Sequence, residues 1–316
     1  MRALLLGGIA ALCLLPLVLS SSWLLVMFLS FLWLILTANY DILDGFLGYI
    51  NLGQGAFFGL GAYVATILLN VPSVQELGLL THVVITVAAL GAGALFAAVM
   101  AFPLFRLKGL YFAIATLILI FLLQVFALNL TELTGGSYGL YVPPRFFVPT
   151  VVGYYLALAV AIVAVGFNWY LSRSTFGLAL RCIKGDDDAA SSIGLDLRKY
   201  KILAFVLASL PSAAAGVLFA LNSGFIDPGI ALGVERSLLP PLMALLGGTG
   251  TVMGPVFGTA IIRLIETVFF HYLRLPVPSM LFFGITLLIV ALLIPEGLMK
   301  SPRVRRLPGL RSLASM

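Results

Sequence analysis

Residues 110–128 read LYFAIATLILIFLLQVFAL, nineteen positions without one charged side chain. A helix crossing the hydrocarbon core of a bilayer needs about 20 consecutive apolar residues. In lipid every backbone N–H and C=O must be satisfied inside the protein, which a helix does within its own segment. The stretch therefore predicts a membrane-spanning helix. The charged residues that bound it on one side, Arg106 and Lys108, belong to the connection before it.

The rest of the chain repeats this pattern. Apolar runs occupy 4–19, 23–38, 47–69, 79–102, 110–128, 151–171, 202–221, 238–246, 252–273 and 280–294. Hydrophobic residues make up 62% of the chain and charged residues 9%, with a mean hydropathy of +1.15. A water-soluble domain typically carries about 25% charged residues, so a soluble fold is excluded. The expected fold is an all-α polytopic membrane protein of about ten transmembrane helices, set in membrane lipid. The run at 238–246 is too short to cross alone and reads as a half-helix, or as one joined to its neighbour through Gly247-Gly248-Thr249-Gly250. No polar stretch is long enough for a separate domain, so residues 1–316 form a single transmembrane unit. It has a charged loop at 172–200 and a basic tail at 295–316.

Charge sets the orientation. With the N-terminus inside and ten alternating runs, the cytoplasmic side receives 14 of the 18 basic residues: Arg2, Arg106, Lys108, Arg173, Arg181, Lys184, Arg198, Lys199, Lys201, Lys300, Arg303, Arg305, Arg306 and Arg311. Arg145, Arg236 and Arg274 fall outside and Arg263 within a run, a bias that predicts N-in and C-in. The net charge of +6 is thus a membrane-topology signal, and no nucleic-acid partner is expected. The first run, after Met1-Arg2 and before Ser20-Ser21-Ser22, has the form of a signal peptide, but a second apolar run follows at once and favours a retained helix. Cys13 and Cys182 make neither a metal site nor a disulfide framework.

Several patterns could carry chemistry. The third run contains Gly48-Tyr49-Ile50-Asn51-Leu52-Gly53-Gln54-Gly55-Ala56-Phe57-Phe58-Gly59. Small residues let helices approach closely in lipid. Asn51 and Gln54, read as adjoining turns of one helix, would be costly facing lipid. They serve either as glue between helices or along a polar pathway. Gly55-Ala56-Phe57-Phe58-Gly59 resembles Gly254-Pro255-Val256-Phe257-Gly258, a single short match. In the charged loop, the run Asp186-Asp187-Asp188 suits a helix N-terminus and Gly194 its end, predicting a short helix on the cytoplasmic face. Arg263 and Glu266 can pair at i, i+3, or serve as the proton relay of an ion-coupled secondary transporter. Gly135-Gly136-Ser137-Tyr138-Gly139 fits a nucleophile-elbow pattern, but it lacks the strand context and partners that elbow needs. No G-x-x-x-x-G-K-[ST] motif is present, so this chain has no phosphate-cradling loop of that kind.

Taken in order, these stretches resemble the LivM-like permeases of branched-chain amino acid ABC importers. Residues 50–63 are similar to that family's Gly-rich segment, and 110–117 to its next signature. Thr134-Gly135-Gly136-Ser137-Tyr138-Gly139-Leu140 resembles its outer motif. Leu246-Gly247-Gly248-Thr249-Gly250 with Gly254-Pro255 and Gly258, and Pro295-Glu296-Gly297-Leu298, resemble its C-terminal motifs. The resemblance implies a type II-like importer permease in a prokaryotic plasma (inner) membrane, not itself an enzyme. It implies a second, homologous permease in a heterodimer, two ATP-binding subunits holding ATP and Mg, and an extracytoplasmic substrate-binding protein. It places ATPase coupling on Arg181, Lys184, Asp186, Asp187, Asp188, Ala189, Ser191 and Gly194, so that Asp187→Arg/Asp188→Arg is expected to uncouple transport. It places a translocation pathway near Asn51, Gln54, Phe57, Phe58, Thr134, Ser137 and Thr249. Gln54 stands where the family often has His, and Asp44 where an apolar residue is common. These departures bear on the cargo, since similar permeases move urea, short amides or other small polar solutes.

Overall fold

The computed structural model describes residues 2–78, 80–269, 284–285 and 297–298. Helices dominate, as a chain with no water to bond its backbone requires. They are α1 (Arg2–Leu14), α2 (Ser21–Asp41), α3 (Gln54–Leu69), α4 (Leu80–Leu104), α5 (Leu110–Asn129), α6 (Thr150–Arg173), α7 (Thr175–Gly185), α8 (Asp187–Ser192), α9 (Leu197–Ser223), α10 (Glu235–Gly247) and α11 (Gly254–Thr267). Two short strands, β1 (Leu140–Tyr141) and β2 (Phe225–Ile226), pair antiparallel with Leu140 opposite Ile226. This ribbon departs from a purely helical expectation. It ties two connections together at the end of the molecule opposite α7 and α8.

Six helical units among the described residues are long and apolar enough to cross a membrane: Ser21–Leu47, α4, α5, α6, α9 and Pro228–Gly247. α1, α3 and α11 are shorter. The run at 280–294 and the tail lie, but for a few positions, outside the described residues. The first run stops at Leu14 and turns through Leu15–Leu17 at Pro16. Its end is held to α6, where Tyr154 Oη donates to the Leu12 carbonyl (2.7 Å) and Tyr155 Oη to that of Cys13 (2.9 Å).

The second and third runs differ most from expectation. α2 continues to Asp41, then winds into a wider π turn, Ile42–Leu47, which Gly48 ends at φ 78°. Residues 48–53 are not helical, and α3 begins only at Gln54. Asn51 is therefore not on a helical turn beside Gln54. Its buried side chain instead serves the break, where Oδ1 accepts the Gly53 N–H at 2.9 Å. Thr116 Oγ1 on α5 accepts the Leu52 N–H at 3.0 Å.

A second break follows α10. The short run is a helix of thirteen residues preceded by the single turn Pro228–Ala231, which Asp227 caps by accepting the Ile230 N–H at 2.7 Å. After Gly247 the chain leaves helical geometry and α11 opens at Gly254. Both G-x-x-F-G stretches thus open helices that follow breaks. The first interrupted span reaches the second break from the end of α2, where Asp41 Oδ1 accepts the Gly250 N–H at 2.6 Å.

α9 lies at the centre, packed on α3, α4, α2 and α6. Its crossing with α3 is close enough that a Cβ on Gly216 would come within 1.9 Å of the Phe58 carbonyl oxygen. No larger residue fits there, which is how small residues act between helices in lipid.

Candidate functional site

The charged loop is a pair of helices. Ser174 opens α7 by accepting the Gly177 N–H at 3.0 Å. α7 is amphipathic: Gly177, Ala179, Leu180 and Ile183 are buried, while Leu178 is 61% exposed. Asp186 then caps α8, its Oδ1 accepting the N–H groups of Asp188 (2.7 Å) and Ala189 (3.0 Å). Side-chain caps of this kind satisfy the N–H groups a helix start leaves open. Gly194 closes the turn at φ 87°, its N–H reaching Ser191 O at 2.9 Å. The expected cap and end are both present. Asp188, Ala189, Ser191 and Ile193 (71% exposed) face outward.

Asp187 turns the other way. Both its oxygens lie 2.9 Å from Lys201 Nζ at the start of α9, and one lies 3.3 Å from Lys108 Nζ. Lys201 Nζ also donates to Tyr49 Oη at 2.9 Å. Burial alone would raise the Asp187 carboxyl, but the bonds to Lys201 and then Lys108 hold it below its ordinary pKa. Asp187 is thus a clamp within the chain. An arginine there would break this ion pair, so the double arginine change does not isolate docking; Asp188 does. Sequence reasoning missed Lys201 and Lys108 as partners because they lie on other elements.

Lys184 ties α7 to the π turn. Its Nζ donates to the carbonyls of Asp44 (2.8 Å) and Gly45 (3.0 Å). Arg181 lies over the Phe46 ring at 5.3 Å and donates to the Ser172 carbonyl. Between these elements is an open cleft of ≈ 320 Å³ lined by Leu47, Gly48, Tyr49, Lys108, Gly109 and residues 183–188.

A polar cluster lies deeper. Asn39 Nδ2 on α2 donates to Ser212 Oγ on α9 (3.1 Å), and Ser212 Oγ donates to Gln54 Oε1 (2.7 Å). All three are buried. Asn51 Nδ2, Gln54 Nε2 and Ser237 Oγ are buried with no partner among the described residues. Phe57 packs on Phe96 and Phe205, and Phe58 on Phe219. The structure does not bring Thr134 or Ser137 to this cluster. Thr134 Oγ1 donates to the carbonyls of Ala127 in the last turn of α5 and of Leu130 just after it, and Ser137 is exposed. Thr249 is half-buried in the second break. Arg236, expected in an outer loop, lies instead along α3 between Gly55 and Phe58.

Apolar helices of spanning length, two interrupted spans in contact, and a helical pair carrying exposed polar and apolar side chains at one end define a polytopic membrane permease. Residues 22–291 match the family described as branched-chain amino acid transport system / permease component. The chain belongs to that family and is a multi-pass protein of the prokaryotic inner membrane. It is 27% identical over 311 residues to the high-affinity branched-chain amino acid transport system permease protein LivM of Escherichia coli (strain K12), covering 87% of this chain and 69% of that protein. It is 24% identical to the permease LivH of the same strain over 293 residues, covering 86% of this chain and 92% of LivH. A shorter match, 32% over 123 residues, links 38% of this chain to 35% of the autoinducer 2 import system permease protein LsrC of Klebsiella pneumoniae. No solved structure matches the chain.

Proposed function

We propose that this chain is one permease of a heterodimeric ABC importer for branched-chain amino acids. Its α7–α8 pair docks on a cytoplasmic ATPase. The observation that carries this reading is the construction of that pair. Its outer side presents Asp188, Ser191 and Ile193, while Asp187 and Lys184 bind it inward to α9 and to the π turn. Such an element is exposed where a partner can hold it and joined to the spans where force must arrive.

ATP and Mg belong to the two partner ATPases. An extracytoplasmic binding protein delivers the cargo, and the two permeases alternate access across their shared path. In this reading residues 1–316 form one domain of about ten spans with both termini inside, which the basic bias favours. The match to LsrC favours a second reading in which the cargo is another small polar solute. An ion-coupled carrier has less support: Arg263 donates to its own i+3 neighbour Glu266 and to Ser30 Oγ (3.2 Å), a paired arrangement.

The test uses Asp188→Arg and Ile193→Asp in the complex purified with its partner subunits. Both variants are expected to reach the membrane and to lose at least about tenfold in ATPase retention, as buried contacts at an interface centre do. Retention of the ATPases and normal uptake by both variants would remove α8 from the docking surface.

A further inference from the structure

Arg236 occupies a place that few charged side chains tolerate. A methyl group on Gly55 would meet its Cβ at 3.1 Å, so its stem lies against the first turn of α3. From the level of Gly55 the side chain reaches along α3 toward Phe58, and its head group meets the turn that follows β2.

Two other cations on the helices have counter-ions: Lys201 has Asp187, and Arg263 has Glu266. Arg236 has none within salt-bridge reach among the described residues. Its Nε donates to the Ile230 carbonyl at 3.0 Å. Its guanidinium carbon lies 4.2 Å from the Phe58 ring centre, 4.5 Å from Phe219 and 6.0 Å from Trp33. Aromatic faces attract the cation and fix its plane without neutralising it. The terminal nitrogens bond no acceptor among the described residues, and the side chain is only partly buried. An arginine in this position faces a water-filled path or a partner, since lipid offers its donors nothing.

The neighbouring open groups are also donors. Ser237 Oγ would lie 2.8 Å from a methyl on Gly55. Ser237 Oγ and Gln54 Nε2 are both fully buried and without partners among the described residues. α3 starts at this level, with the positive end of its dipole.

We propose that Arg236 is a carboxylate-recognition residue of the permeation path, taking the α-carboxylate of a zwitterionic amino acid in its planar fork during passage. The geometry suits bidentate recognition, which arginine performs and lysine does not. This inference rests on the import reading above. The competing role is a contact with a carboxylate of the sibling permease.

The test reconstitutes the complete importer in proteoliposomes and measures ATP hydrolysis and radiolabelled L-leucine uptake in the same vesicles. R236M is expected to assemble and to hydrolyse ATP within about twofold of wild type, while uptake per ATP falls about tenfold, the signature of a lost substrate contact. R236K keeps the charge but not the fork and is expected to fall between the two. Wild-type uptake per ATP in R236M overturns the proposal. So does loss of the sibling permease from purified R236M, which assigns Arg236 to the subunit contact. If R236M does not insert, R236K decides, and unchanged uptake per ATP in R236K overturns the proposal. Failure of the import reading itself looks different: wild-type vesicles would take up no leucine.

Discussion

Asp187→Asn isolates the clamp beneath the exposed helical pair. It removes the charge and keeps the size. In the native protein both Asp187 oxygens lie 2.9 Å from Lys201 Nζ and one lies 3.3 Å from Lys108 Nζ. The two lysines are unlike, for the Lys201 side chain is 7% exposed and that of Lys108 76%. An exposed pair contributes about 0.2–1 kcal/mol. A hydrogen bond to a charged, shielded group contributes about 1.5–3 kcal/mol. Asparagine keeps one acceptor but leaves Lys201 charged without a counter-ion, so the cost settles near 2 kcal/mol. If that cost falls on local opening of α7 and α8, the open population rises about thirtyfold at 1.4 kcal/mol per decade. Amide hydrogen exchange across residues 175–195 measures it directly. Lys108→Ala should raise exchange by no more than about fivefold. Adding Lys201→Met to Asp187→Asn should cost less than the two changes summed, because the pair acts as a unit. Equal exchange in Asp187→Asn and Lys108→Ala, or no change in either, would refute the assignment of Lys201 as the principal partner.

Four further outcomes follow from the same geometry. Because the Asp187 pKa is depressed in the folded chain, its contribution is present above the unfolded carboxylate value of about 3.9 and fades as pH falls through the folded value. Protection of α7 and α8 should therefore hold down to about pH 4 in wild type and be lost below it, while Asp187→Asn has no such acid step. Gly216→Leu drives a side chain into the Phe58 carbonyl and should cost more than the roughly 1–3 kcal/mol of ordinary overpacking. Size-exclusion recovery after heating reads this, with Gly166→Ala, where a Cβ meets nothing within 4 Å, as the silent control. Ser212→Ala removes the link between Asn39 and Gln54 and should lower thermal stability by about 1–3 kcal/mol, measured on the detergent-solubilised protein. Lys184→Met frees the Asp44 and Gly45 carbonyls and should keep the ATPases bound while uptake per ATP falls several-fold.

The helical, membrane-embedded character of the chain was legible because hydropathy integrates over about 20 residues and tolerates local error. The caps of α8 were legible too, since Asp186 and Gly194 act on backbone a few residues away. The break at residues 48–53 was not. Hydropathy is blind to backbone geometry, and the helix stops there because Asn51 and Thr116 offer the backbone other partners. The signal available was the pair of polar residues Asn51 and Gln54 among the closely spaced glycines Gly48, Gly53 and Gly55, a pattern that reads equally as a continuous helix. Arg236 was misplaced for a related reason. A charge after Asp227-Pro228-Gly229 looks like a loop, and the rings that receive it come from α2, α3 and α9. The partners of Asp187 were hidden likewise: spacing along one helix cannot foretell a lysine 79 residues earlier.

The location of Lys184 gives the interrupted spans a physical use. A continuous helix transmits a push along its whole length, because each turn is bonded to the next. Between Leu47 and Gln54 that ladder is absent, so α3 can shift against α2 without breaking a run of helical bonds. Side chains take over from the ladder: Asn51 holds Gly53, and Thr116 holds Leu52. Only the second of these joins the break to another helix. Lys184 grips the carbonyls just before the break, and Asp41, one turn earlier, holds Gly250 of the other break. A displacement of α7 would therefore reach both interruptions through two side chains, at the places where the backbone resists it least. Were force delivered instead to the middle of α9, it would meet the close crossing at Gly216 and Phe58, where any relative movement brings backbone against backbone.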